Sequence, residues 1–273
     1  MKNIIFILLS ILMFACVTQS QEDDGIIFED DFESGTLSKW DQTAKRIAIT
    51  DDPNHVLHGK YSAVAIAKEG EGAGGKLIQW FLPGYDTVYA RWYCKFAEDF
   101  DQSNHMHFCH LLANRWDNKW SASGKAGIRP SGDDFFTTGL EPWRDYGRNP
   151  APGEMGFYTY HMDMPEDRNS GKYWGEMFKS NPKFILKRNQ WYCMEMMLKA
   201  NTPGHADGEQ AFWIDGKEIG RYSNLRFRTD EQLKINAFWL ELYVHNSPKE
   251  NKVWFDDAAI SREYIGPKAS SDQ

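Results

Sequence analysis

The chain has little cysteine: Cys16, Cys94, Cys109 and Cys193 are all there is, at irregular spacing. The three that follow Cys16 are an odd number with no metal-binding spacing, which excludes a disulfide framework and a zinc motif. Buried thiols acting as small apolar groups are the expected state, with one oxidised pair as the alternative. Positive charge is also short, with 31 Lys and Arg against 39 Asp and Glu and a net charge of −8. Phosphate binding needs clustered cations, so nucleic acid is not an expected partner. An acidic polysaccharide is not excluded, because a local basic groove can coexist with a negative remainder. Long apolar runs are absent too. The one run, at residues 4–14, is shorter than the roughly 20 residues a membrane-spanning helix needs. No internal linker and no repeat divides the rest, so one domain with a substantial core is expected.

The N-terminus is informative. Met1-Lys2-Asn3, the apolar run and Ala15-Cys16 have the layout of a secretory signal. Leu12-Met13-Phe14-Ala15-Cys16 resembles a lipobox, which implies lipidation at Cys16. A plain signal with an incidental cysteine is the alternative. Residues 1–15 are then the signal peptide and 16–25 a polar tether without periodicity. The acidic Gln21-Glu22-Asp23-Asp24 resembles an export tag. Together these predict an outer-membrane lipoprotein of the bacterial envelope, exposed at the surface and touching the membrane through its anchor alone. The domain is expected over 26–267, with a disordered tail over 268–273.

The dominant pattern within the domain is alternation. Phe238, Leu240, Leu242 and Val244 fall on one face of a strand, and Trp239, Glu241, Tyr243 and His245 on the other. Residues 62–67, 77–81, 88–96, 105–112, 156–162, 192–199, 211–214 and 253–260 read the same way. Asp215-Gly216 is a hairpin turn, with the strand resuming near Glu218. Helix is expected at most as one turn at 229–233. Many strands between turn signals mean a sandwich or barrel. The stretch 131–153 reads as a long loop carrying Phe135, Phe136, Trp143 and Tyr146. Aromatics are 15% of the chain, enough for both a thick core and rings that lie on sugar faces.

Phe28 to Gly35, Asp207 to Lys217 and Val253 to Ser261 resemble, in order and spacing, strands of concanavalin-like jelly rolls, including laminin-G-like domains and jelly-roll polysaccharide lyases. The resemblance implies an all-β sandwich of two antiparallel sheets with a concave groove. Within that superfamily the layout is most similar to the alginate and glucuronan lyases of families 14 and 20. Jelly-roll glycosidases place two catalytic carboxylates in a Glu-x-Asp-x-x-Glu pattern on a mid-chain strand, and retaining chemistry needs such a pair. No strand here has it, so hydrolase ranks below lyase. His105-Met106-His107 has the His-x-His spacing of cupins, without the cupin glutamate. Groove-lining histidines are the alternative to a metal there.

The expected activity is a polysaccharide lyase cleaving a uronic-acid-containing glycan by β-elimination. A non-catalytic glycan-binding lipoprotein is the alternative, and a protein-binding adhesion module a third class. Elimination needs a cation to neutralise the uronate carboxylate, and a base and an acid to move two protons. Tyr158 and Tyr160 are the candidate acid and base, with His107 as an alternative base. Arg129, Arg91 and Lys125 are candidate neutralisers, with Lys125, Gly127 and Arg129 expected on one strand face. Tyr93, Trp239, Glu241, Tyr243 and His245 are candidate sugar contacts. No cofactor is required. The jelly-roll resemblance implies a structural calcium tying the first strand to the last, with Glu33 and Asp256 as ligands. Ordinary edge-strand acids are the alternative.

Overall fold

The computed structural model describes residues 25–269 except His105. The lipidation expected at Cys16, the signal peptide, the His-x-His pair at His105 and residues 270–273 lie outside the described residues. Among the described residues, sixteen strands form two antiparallel sheets. The first sheet has the order β14 (Lys217–Leu225), β13 (Gly208–Ile214), β12 (Trp191–Lys199), β6 (Thr87–Phe96), β16 (Asn251–Ser261), β4 (Ser62–Ala67), β3 (Ile47–Thr50), with β1 (Ile26–Asp30) also on β16. The second runs β10 (Glu176–Lys179), β9 (Gly153–Tyr160), β8 (Phe135–Trp143), β7 (Met106–Asn114), β15 (Lys234–Val244), β5 (Lys76–Tyr85), β2 (Gln42–Thr43), with β11 (Ile185–Leu186) on β9. This is the expected jelly-roll sandwich.

The core between the sheets is aromatic. Trp92 and Phe96 of β6 meet Phe108 of β7, Phe238 of β15 and Phe255 of β16, all fully buried. Alternation explains the facing: Phe238, Leu240, Leu242 and Val244 belong to this core, which leaves Trp239, Glu241 and Tyr243 on the other side of their sheet. One polar cluster crosses the core. Thr138 and Thr159 both donate to Gln210 Oε1 at 2.9 Å, linking β8 and β9 to β13 of the facing sheet. This pairing satisfies both threonine hydroxyls and the Gln210 Oε1 acceptor. Cys94, Cys109 and Cys193 are free and buried, and burial pushes all three thiols up. They are the small apolar residues expected.

Three local expectations are corrected. The stretch 131–153 is not one long loop, for it contains β8. Gly139 and Pro142 obscured that strand in the sequence, and burial on both faces removed its alternation. Residues 125–129 are not a strand. Gly127 sits at φ +78° and only bridges to Tyr173. Residues 229–233 are a turn, and the short helical piece is at Pro53–His55 instead.

Candidate active site

The face of the second sheet turned away from the core carries a trough. Lys76 of β5, Trp239, Glu241 and Tyr243 of β15, His107 and His110 of β7, Thr137 of β8 and Tyr158 and Tyr160 of β9 line it. The loop from Ala122 to Ala126, including Lys125, closes one side. Seven residues singled out from sequence therefore meet here: His107, Lys125, Tyr158, Tyr160, Trp239, Glu241 and Tyr243.

His110 and Glu141 were not foreseen. Strict alternation would turn His107 and Cys109 the same way, but the register between β7 and β15 shifts between Trp239 and Leu242. Phe108 and Cys109 both go to the core, and His107 and His110 face the trough together with rings 5.8 Å apart. Such irregularities often re-aim side chains at sites. Glu141 sat on the unrecognised strand β8. Gly139, two residues before it, is required: a Cβ there would lie 2.5 Å from His110 Nε2.

Two charge clusters result. Glu241 is almost fully buried, with Lys76 Nζ 3.2 Å from one oxygen and His110 Nδ1 2.9 Å from the other, the latter off the line of a straight hydrogen bond. Burial would raise its pKa, but His110, Lys76 and His107 outweigh burial and hold the carboxyl down to about 2. Lys76 also lies over the Trp239 ring at 3.8 Å. The second cluster is His107 with Glu141, Nδ1 to Oε2 at 3.1 Å. Burial lowers the imidazole's pKa, but Glu141 and then Glu241 reverse this, and the net shift is upward. His107 stacks on Tyr243 at 5.7 Å and lies 5.4 Å from Tyr158.

The tyrosines differ. Burial, then the charge and hydrogen bond of Tyr160, push Tyr158 well above the usual phenol range. Tyr160 oxygen accepts the Gly127 N–H at 3.2 Å. Lys125 lies 3.3 Å from Asp134.

Four expected residues fall elsewhere. Arg91 and Tyr93 are on β6, in the other sheet, where they fasten the C-terminal segment: Arg91 Nη1 donates to Gly266 O at 3.4 Å, and Tyr93 oxygen accepts the Lys268 N–H at 2.9 Å. Alternation placed them off the core but could not say which sheet owned them. Lys268, beyond the expected domain end, is pinned further by Asp257. Arg129 is exposed and lies over Tyr173 at 4.7 Å, outside the trough lining. His245 is exposed past the end of β15, with Nδ1 3.5 Å from Tyr243 oxygen.

Glu33 and Asp256 grip one loop. Glu33 accepts from Lys60 and Tyr61 N–H groups at 2.9 Å, and Asp256 from Leu57 and His58 at 3.0 and 3.2 Å. Among the described residues the group with metal-ligand geometry is His107, His110 and Glu141, and Glu33 and Asp256 form no such group.

Residues 121–257 match the model of the family described as polysaccharide lyase 14. That is half the chain, and it holds most of the trough. The protein belongs to the polysaccharide lyase 14 family. Solved structures agree on the fold. The alginate lyase of Aplysia kurodai is 14% identical with a TM-score of 0.65, covering 89% of this chain and 99% of its own. A Chlorella virus alginate lyase is 15% identical with a TM-score of 0.63 over 87% and 100%. The endo-β-1,4-glucuronan lyase of Trichoderma reesei is 16% identical with a TM-score of 0.55 over 86% and 95%. No curated protein sequence matches this lyase.

Proposed function

We propose that this family member cleaves a uronic-acid-containing polysaccharide by β-elimination. The observation that carries the reading is the meeting of Tyr158, Tyr160, His107 and Lys125 in one trough. The family membership supports a lyase, and two of the solved relatives act, by their names, on alginate.

The residues fit distinct roles. His107, hydrogen-bonded to Glu141, and Lys125 neutralise the uronate carboxylate, so that the adjacent C–H can ionise. The Glu141 carboxylate favours the protonated imidazole, which suits His107 to this role. Tyr160 acts as its phenolate, with its oxygen facing the Gly127 N–H, and takes the proton, which it later passes to the Tyr158 phenolate left by protonation of the leaving oxygen. Tyr158, held protonated, delivers a proton to the leaving oxygen. The C–H bond and the bond to the leaving oxygen break, a C=C bond forms, and the hydrogen bond between the tyrosines returns the proton. No cofactor enters this scheme. Trp239 and Tyr243 supply ring faces for the sugar.

The reading extends to location: the signal layout and Cys16 support export and lipid anchoring at the envelope surface. Incubation with alginate, glucuronan and glycosaminoglycans, followed by ultraviolet absorbance of unsaturated ends, tests the activity. A steady gain on at least one polymer is expected. A flat trace on all three, with the polymers still bound, overturns it.

A further inference from the structure

Two imidazoles and a carboxylate meet in the floor of the trough, and these are the side chains that bind metal ions. One ligand atom from each of His107, His110 and Glu141 lies within 4.8 Å of the other two. His107 Nδ1 and Glu141 Oε2 are 3.1 Å apart. Two ligands on a tetrahedral zinc ion, each bound at about 2.0–2.1 Å, stand roughly 3.3 Å from one another. This pair is therefore already spaced as one edge of such a site.

His110 supplies the third corner. Glu241 Oε1 lies 2.9 Å from its Nδ1, and Lys76 Nζ holds the other carboxylate oxygen at 3.2 Å. A carboxylate beside one ring nitrogen favours the proton there and leaves the lone pair on the other, the arrangement that metal-binding histidines use. That other nitrogen, Nε2, lies against β8, 2.5 Å from where a Cβ on Gly139 would stand. Glu141 is two residues further along the same face of β8. The His110 ring thus spans the gap between a carboxylate on β15 and a carboxylate on β8. Both His110 and Glu141 are buried, which limits their freedom to move apart.

We propose that His107, His110 and Glu141 bind one divalent transition-metal ion of the zinc class, with Glu241 as the positioning residue behind His110. Two imidazoles and one carboxylate suit zinc or cobalt, whereas magnesium and calcium take shells of six or more oxygens. Three protein ligands leave one tetrahedral position open. It faces the trough that His107 and His110 line, where a water or a substrate carboxylate completes the shell. The site does not rest on the elimination reading, whose scheme uses no metal, and the ion enters when it is supplied.

Calorimetric titration of untagged, EDTA-treated enzyme with zinc chloride tests this. One ion per chain should bind, and excess magnesium or calcium should not displace it. Cobalt(II) in its place should give the intense visible bands of four-coordination, and glucuronate should shift them by taking the open position. His110→Ala and Glu141→Gln should lose those bands. Glu141→Gln keeps the side chain's shape, so it carries the test if His110→Ala does not fold. Glu241→Gln leaves all three ligands in place and should weaken zinc binding about 10–100-fold. His58→Ala, which removes the separate His58–Asp257 pair, should bind zinc as wild type does. No zinc uptake by wild type, uptake unchanged in Glu141→Gln, or the faint cobalt bands of six-coordination overturn the site. Wild-type affinity in Glu241→Gln overturns the positioning role, and bands indifferent to glucuronate overturn the open position. Zinc bound by an enzyme that yields no unsaturated product sinks the elimination reading and leaves the metal site standing.

Discussion

Tyr158 and His107 lie 5.4 Å apart in the same trough, yet their surroundings assign them opposite duties. Burial and Tyr160 keep Tyr158 a neutral phenol, and Glu141 keeps His107 inclined to be a cation. Tyr158→Phe removes the proton donor while keeping the ring. Its kcat on polymer should fall by about 10²–10⁴-fold, with KM and Tm near wild type. A change below ten-fold in kcat assigns the acid elsewhere. His107 carries the sharper pH test. Its folded pKa is raised, so the cation is present below that value and lost as pH rises through it. The alkaline limb of kcat should therefore move to lower pH in Glu141→Gln, which removes the main stabilising charge. An unmoved limb would give the neutralising role to Lys125 alone.

Strands decide which of these residues can cooperate. The sandwich, most strand positions and seven trough residues were legible in the sequence, because alternation on β15, β9 and β12 is regular. What could not be read has physical causes. Arg91 and Tyr93 had the right parity on the wrong sheet, since period two gives a face and says nothing of the layer. His110 was hidden by the register shift on β7 and Glu141 by the Gly and Pro of β8. Gly139 on β8 makes room for the His110 ring. Gly139→Ala should displace it at a cost of about 1–3 kcal/mol, lowering Tm by several degrees and kcat/KM with it. Wild-type Tm and activity would mean that β8 yields instead. Glu241 on β15 gives a stability test. Its pKa is held at about 2 against an ordinary 4.5, so its contribution is complete above that ordinary value and lost as pH falls toward about 2. Tm measured across this window should drop less in Glu241→Gln than in wild type.

The whole molecule carries a net charge of −8 and is proposed to act on a polyanion. Local cations reconcile the two: Lys76 and Lys125 gather in the trough beside the His107 imidazole, whose pKa Glu141 raises. Polar clamps fasten loops and the C-terminal segment onto the first sheet. Glu33 and Asp256 hold one loop, and Glu195 accepts the N–H groups of Ile265 and Gly266 at 2.7 and 2.8 Å to hold the C-terminal segment. With these clamps made by backbone donors, chelation by EDTA should leave Tm and turnover unchanged. A fall of several degrees, restored by calcium, would show that a cation ties the strands. The central claim is that the glycan is cut by elimination, and the masses of the fragments decide it. After digestion of a defined uronate oligosaccharide, the fragment masses should sum to that of the substrate, with an unsaturated sugar at one new end and no such cleavage by Tyr158→Phe. Fragments that together weigh one water more than the substrate would mean hydrolysis and contradict the account.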